Sequence, residues 1–218
     1  WGKYKTGKSY ALASFPKPIL AATGGDEAGL AQYLDAKRGD LCFSIDTPDN
    51  LSRFLEFGMK NSEVFKSIVF DPIGGGIWED YMDSWSETLG GEIQGRDWRK
   101  VKAPWKLFMR QVKRAKLHIG MSAHMADVLY ENVSDAPGET KLNIRPIEAP
   151  KVERKIPYHI DLIFQTTQQV DRKNRPTHIH EIIYSGGRRP LSIPPNELYV
   201  GRKWTFDSRK EQNPWETV

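Results

Sequence analysis

A single cysteine, Cys42, in 218 residues leaves no partner for an internal disulfide. Nothing in the chain therefore asks for the oxidising compartments in which such bonds persist. Cys42 lies in the apolar run Leu41-Cys42-Phe43-Ser44-Ile45, which suits a buried thiol in a reducing environment, and the cytoplasm is the expected location. No stretch of about 18 consecutive apolar residues occurs, which excludes a membrane-spanning helix, so a soluble chain with no membrane partner is expected. There is no internal repeat and no low-complexity tract, which argues against solenoids and long linkers. No signal peptide is expected, since the residues ahead of the first motif show no charged-then-apolar pattern. Neither sign of charge dominates: 32 basic against 28 acidic residues give a net charge of +4, an excess that permits a polyanionic partner without requiring one.

What is present is a pattern of short apolar runs alternating with helix-like segments, the signature of a mainly parallel sheet flanked by helices, hence an α/β fold. The runs 18–23, 41–46, 67–73 and 117–123 are expected strands, three of them ending in a small or polar residue where such sheets place their ligands. Helices are expected over 8–14, 27–36, 50–59, 78–89 and 103–116, the third entered through Thr47-Pro48-Asp49 as a start signal. Beyond about residue 125 the pattern becomes β-rich. The segments 128–133 and 141–146 flank the turn Asp135-Ala136-Pro137-Gly138 as a hairpin, and 178–184 reads as a later strand. The expected organisation is a core over 1–125, a β-rich continuation of the same domain over 126–201, and a polar tail over 202–218 whose Trp204 and Trp215 suit a protein partner.

The most specific motif is Gly2-Lys3-Tyr4-Lys5-Thr6-Gly7-Lys8-Ser9, which matches G-x-x-x-x-G-K-[ST] and runs into the helical stretch from Tyr10. Glycines let the backbone curl so that its N–H groups converge on a β-phosphate, and the helix adds the positive end of its dipole. Residues 2–10 are therefore the expected nucleotide-binding set. Lys8 would contact the β- and γ-phosphates and Ser9 would offer its hydroxyl to Mg²⁺. The strand that normally leads into such a loop would lie upstream of Trp1, so a truncated sequence is expected. In Ser67-Ile68-Val69-Phe70-Asp71 an apolar strand runs into a carboxylate, which makes Asp71 the second Mg²⁺-side ligand. His124 closes the next strand as a polar sensor for the γ-phosphate, or as an ordinary strand-end histidine. For the base that orients water the candidates are Glu27, Asp26 and Asp46, with Glu27 preferred.

These residues resemble a phage family of RecA-like P-loop ATPases, often labelled phage nucleotide-binding proteins and including single-strand-annealing recombination proteins. The likeness runs from Gly2 to about Gln165 through the Gly2–Ser9 loop, Pro16-Lys17-Pro18, the Gly24-Gly25 pair, Asp71, and the block from Trp98 to Ser122-Ala123-His124. It implies a RecA-like core, hydrolysis of ATP with Mg²⁺, oligomerisation, handling of single-stranded DNA, and a host-cell cytoplasmic location. The sequence departs from the family pattern at Ala21-Ala22-Thr23-Gly24, where an acidic residue is common; Asp26 and Glu27 lie nearby.

Lys102, Lys106, Arg110 and Arg114 recur every four residues, opposite the apolar Val101, Trp105, Phe108 and Val112. Such a stripe reads either as a solvated face or as a site for a phosphate backbone, which would relieve its like-charge repulsion. Lys155, ahead of Arg154 and Arg188-Arg189, is the candidate for a basic residue reaching a neighbouring subunit's nucleotide. Trp78, Tyr81 and Trp85 read as helix core rather than as a base-stacking platform. His178 and His180 form an H-x-H pair with no further cysteine or histidine nearby, which argues against a metal site. An annealing or recombination ATPase leads; a DNA-packaging or replication motor or loader, and a nucleotide-binding structural protein with weak hydrolysis, remain alternatives.

Overall fold

The structure is a computed structural model and describes residues 2–3, 6–23, 41–125, 129–132, 144–147, 150, 152, 160–170, 176–185 and 203–206. Tyr4, Lys5, Asp26, Glu27, Arg154, Lys155, Arg188, Arg189 and Trp215, with the expected helix at 27–36, lie outside the described residues.

Four strands, β1 (Pro18–Thr23), β2 (Leu41–Ile45), β3 (Ser67–Gly74) and β4 (His118–Ala123), form a parallel sheet in the order β2-β1-β3-β4. Around it lie the helices α1 (Lys8–Ala13), α2 (Pro48–Lys60), α3 (Ile77–Leu89), α4 (Trp98–Val101) and α5 (Ala103–Arg114). The chain is thus α/β, with a parallel sheet flanked by helices.

The alternation of side chains along β1 and β3 divides the core between two faces. Ile19 and Ala21 of β1 join Ile68 and Phe70 of β3 and the buried residues of α2 and α5 on one face. Leu20 and Val69 point the other way, onto Leu12 and Ala13 of α1. Both strands are covered on two sides, so they read as unbroken apolar runs rather than as alternating ones. On the larger face, aromatic rings meet edge to face: Phe54 with Phe70 at 5.6 Å, Phe70 with Phe108 at 5.2 Å, and Trp78 with Trp105 at 5.0 Å. Each such pair contributes about 1 kcal/mol beyond area burial. Trp78 and Tyr81 pack against this core, and the Tyr81 hydroxyl donates to the Val101 carbonyl at 2.9 Å.

Local chemistry sets several boundaries. α2 begins at Pro48, earlier than expected, because Thr47 is its N-cap and accepts the Asn50 N–H at 3.3 Å. Val101 is buried, but in the separate α4, with Lys102 as the N-cap of α5 rather than a residue within it.

The β-rich part contains β5 (Leu129–Asn132) antiparallel to β6 (Ile144–Ile147), and a second antiparallel sheet of β7 (Leu162–Val170), β8 (Pro176–Ser185) and β9 (Lys203–Phe206). β7 was not expected, and β9 corrects part of the polar-tail reading: its residues pair with β8 from His178↔Phe206 to Glu181↔Lys203. Among the described residues no helix is long and apolar enough to cross a membrane.

Candidate functional site

Gly2 joins the two larger sheets. It forms parallel bridges to His124 just past β4 and to Thr166 in β7, donating its N–H to the Ala123 carbonyl and accepting from Met125 N–H at 3.2 Å. The loop that follows therefore starts at the C-terminal edge of the parallel strands, where α/β sheets bind ligands.

The loop then folds back on itself. Lys8, only 8% exposed, donates from Nζ to the carbonyls of Lys3 at 2.7 Å and Gly2 at 3.1 Å. A buried ammonium is costly unless its protons find acceptors, and carbonyls turned inward by the loop supply them. Gly7 has φ of 88°, a left-handed conformation that a residue with a Cβ resists. The Ala11 N–H donates to the Gly7 carbonyl at 3.0 Å, so helical bonding begins there. Ser9 and Tyr10 are half-buried in the first turn of α1.

Asp71 lies on β3, one strand beyond β4 and therefore two strand spacings, roughly 10 Å, from Gly2. It is 4% exposed and accepts a hydrogen bond from Ser122 on β4. It lies within β3, which runs to Gly74, one residue past the strand expected over 67–73. Regular pairing nevertheless stops at Asp71: β1 pairs up to Ala22↔Asp71, and the register to β4 shifts after Phe70. The carboxylate thus sits where the sheet opens. Thr23, at the end of β1, donates to the Pro72 carbonyl and fixes the chain just after it.

His124 is buried. Its N–H donates to the Gly74 carbonyl at 3.0 Å, and its ring lies against the α-carbon of Gly75, where a Cβ would come within 2.7 Å of Cδ2. It therefore stands between the Gly2 end of the loop and the turn after β3. Asp46 does not join this group. It is exposed at the end of edge strand β2, four strand spacings or about 19 Å from Gly2.

Three residues around the loop and Asp71 have contacts to the site that no sequence pattern predicts. Thr166 on β7 has its Oγ1 2.8 Å from that of Thr6, both buried. His178 on β8 packs on Gly7, where a Cβ would fall 2.8 Å from its Cγ. Ser122, quoted only as part of a motif, hydrogen-bonds the Asp71 carboxylate. His180, the cross-strand neighbour of Thr166, is buried, and its pKa is lowered from 6.5 to about 4 by desolvation first and by His178 second. The H-x-H pair thus packs behind the loop.

A hydroxyl from Ser9 and a carboxylate from Asp71 are hard oxygen donors of the kind that suit Mg²⁺. Apart from this site, the basic stripe is laid out on α5: Lys106, Arg110 and Arg114 are exposed, and Lys102 stacks over the Trp98 ring at 4.9 Å. The opposite face buries Trp105, Phe108 and Met109.

A parallel sheet with a glycine-rich loop folded about a buried lysine at its C-terminal edge, and a buried aspartate at the same edge, defines a P-loop nucleotide-binding core. Residues 1–204 match the AAA_24 family, described as an AAA domain, and the chain belongs to that family of AAA-type P-loop ATPase domains. Comparison with curated proteins yields no match.

Proposed function

We propose that the chain binds ATP in the Gly2–Ser9 loop and hydrolyses it, acting as an oligomer on single-stranded DNA in a phage-type recombination or annealing reaction. The observation that carries the hydrolytic part is the placement of the Lys8 ammonium and the Asp71 carboxylate at one edge of one sheet. Family membership supports the same reading. The DNA part is supported by the exposed cations of α5 and by the resemblance of the motifs to annealing ATPases.

In this reading the loop carbonyls that hold Lys8 keep its ammonium where phosphate oxygens replace them as acceptors. The ammonium makes charge-assisted bonds to either acceptor, and the negative charge of the phosphate adds direct ion-pair attraction. Ser9 and Asp71 would hold Mg²⁺, which supplies charge neutralisation on the β- and γ-phosphates when bound. Ser122 orients the Asp71 carboxylate. His124 responds to the terminal phosphate from its place beside Gly2 and Gly75. Glu27, shortly after β1, orients the attacking water, and Lys155 reaches the nucleotide of a neighbouring subunit.

Phosphate release measured with and without single-stranded DNA, duplex DNA and RNA tests the proposal. Turnover stimulated by single strands supports it. Nucleotide binding without turnover under every condition would favour a nucleotide-dependent structural role instead.

A further inference from the structure

We infer that Thr166 is a positioning residue for the phosphate loop, acting through Thr6 and Lys3 on the Lys8 ammonium. The inference deepens the ATP-binding reading and rests on it. Thr166 lies on β7, far along the chain from the motif, yet it touches the loop at two points. Its carbonyl and hydroxyl oxygens abut the α-carbon of Gly2, leaving no room for a Cβ, and its Oγ1 meets Thr6 Oγ1 at 2.8 Å in a buried setting.

Proton accounting gives this contact a direction. A threonine hydroxyl has one proton, and Thr6 donates its own to the Lys3 carbonyl at 2.9 Å. Thr166 must therefore donate to Thr6. The Lys3 carbonyl that receives the Thr6 proton also accepts from Lys8 Nζ at 2.7 Å. A chain of hydrogen bonds thus runs from Thr166 through Thr6 to the acceptor that fixes the lysine. Bonds linked in this way polarise one another, and losing one member leaves buried polar groups unsatisfied. Thr166 is itself held in place by β7–β8 pairing opposite His180, so the antiparallel sheet provides a rigid wall against which the loop is set.

The role belongs to the hydroxyl, so volume and polarity can be separated by substitution. Thr166→Val keeps the shape and removes the donor, whereas Thr166→Ser keeps the donor. With the intact chain, Thr166→Val is expected to raise the KM for ATP about five-fold while leaving kcat within about two-fold, and Thr166→Ser to restore the wild-type KM. Thr6→Val removes the same link from the loop side and should reproduce the KM rise even if Thr166→Val does not fold. The double variant should be no worse than Thr6→Val alone. An unchanged KM in Thr166→Val, equal impairment of the Val and Ser variants, or additive effects in the double variant would overturn the inference. Lys8→Ala measured alongside separates the two levels. If Lys8→Ala loses ATP while Thr166→Val behaves as wild type, the inference alone fails; if the wild-type chain binds no ATP, the reading beneath it fails too.

Discussion

The imidazole of His178 rests on the α-carbon of Gly7, so a side chain on that glycine would fall 2.8 Å from Cγ. Two constraints therefore coincide at Gly7: a left-handed φ of 88° and a neighbouring ring from a different sheet. Gly7→Ala combines backbone strain with this clash, together about 2 kcal/mol. The expected result is a melting midpoint lowered by roughly 5 °C, with loss of nucleotide binding, read by calorimetry and titration. A wild-type melting profile would show that β8 does not press on the loop.

Asp71 and Ser122 are expected to separate binding from turnover. Asp71→Asn keeps the shape of the side chain but removes its charge, so ATP binding should persist while Mg²⁺-dependent turnover falls about 100-fold, equivalent to ~3 kcal/mol of barrier. Ser122→Ala should give a smaller loss, about ten-fold, because the carboxylate keeps its charge and loses a hydrogen-bonding orienter. Steady-state kinetics at saturating ATP checks both, and full turnover in Asp71→Asn would remove that residue from the reaction.

His180 gives the fold a definite dependence on pH. Its pKa is depressed from 6.5 to about 4 by burial first, and by His178. Above the unfolded value neither state carries the charge. As pH falls from 6.5 towards 4 the unfolded chain takes up a proton that the folded chain refuses, so stability declines. The shift corresponds to at most ~3 kcal/mol. Urea midpoints should drop through this window, and His180→Gln should flatten the drop. Parallel curves for the two proteins would contradict the assignment.

The exposed cations of α5 invite a charge-reversal test. Changing Lys106 and Arg110 together to Glu should weaken binding of single-stranded DNA at least about ten-fold at low salt. It should also reduce the slope of log affinity against log salt by about 1.4, near 0.7 per lost phosphate contact. These side chains lie on the solvent side of a helix whose other face is core, so the fold should be unaffected. An unaltered slope would make the stripe an ordinary solvated face.

The parts of the structure that sequence made legible are those written in local pattern. Pro18–Thr23 and Ser67–Gly74 are dense in apolar residues because helices cover both faces of their sheet, and the P-loop is a contiguous motif. Strand order is not local. Asp46 follows an apolar run much as Asp71 follows its own, and the placement of β2 at the sheet edge, with Asp46 exposed and Asp71 buried, separates them. β7 was missed because its second half, Thr166 to Gln169, is polar, and β9 because its four residues sit in a polar stretch. Thr166 and His178 reach the loop through tertiary contacts across most of the chain, which no spacing rule records. The basic stripe was readable as helical periodicity, and α5 starts at Ala103 as expected, although Val101 and Lys102 of the pattern fall in α4 and the cap.

The central claim is that Lys8 and the loop around it hold a triphosphate. Titration of a fluorescent ATP analogue with Mg²⁺ into the wild-type chain and Lys8→Ala, with folding of each checked by circular dichroism, tests it most directly. The expected result is saturable binding by the wild type and at least about ten-fold weaker binding by a folded Lys8→Ala. Equal affinity in the two proteins would contradict it.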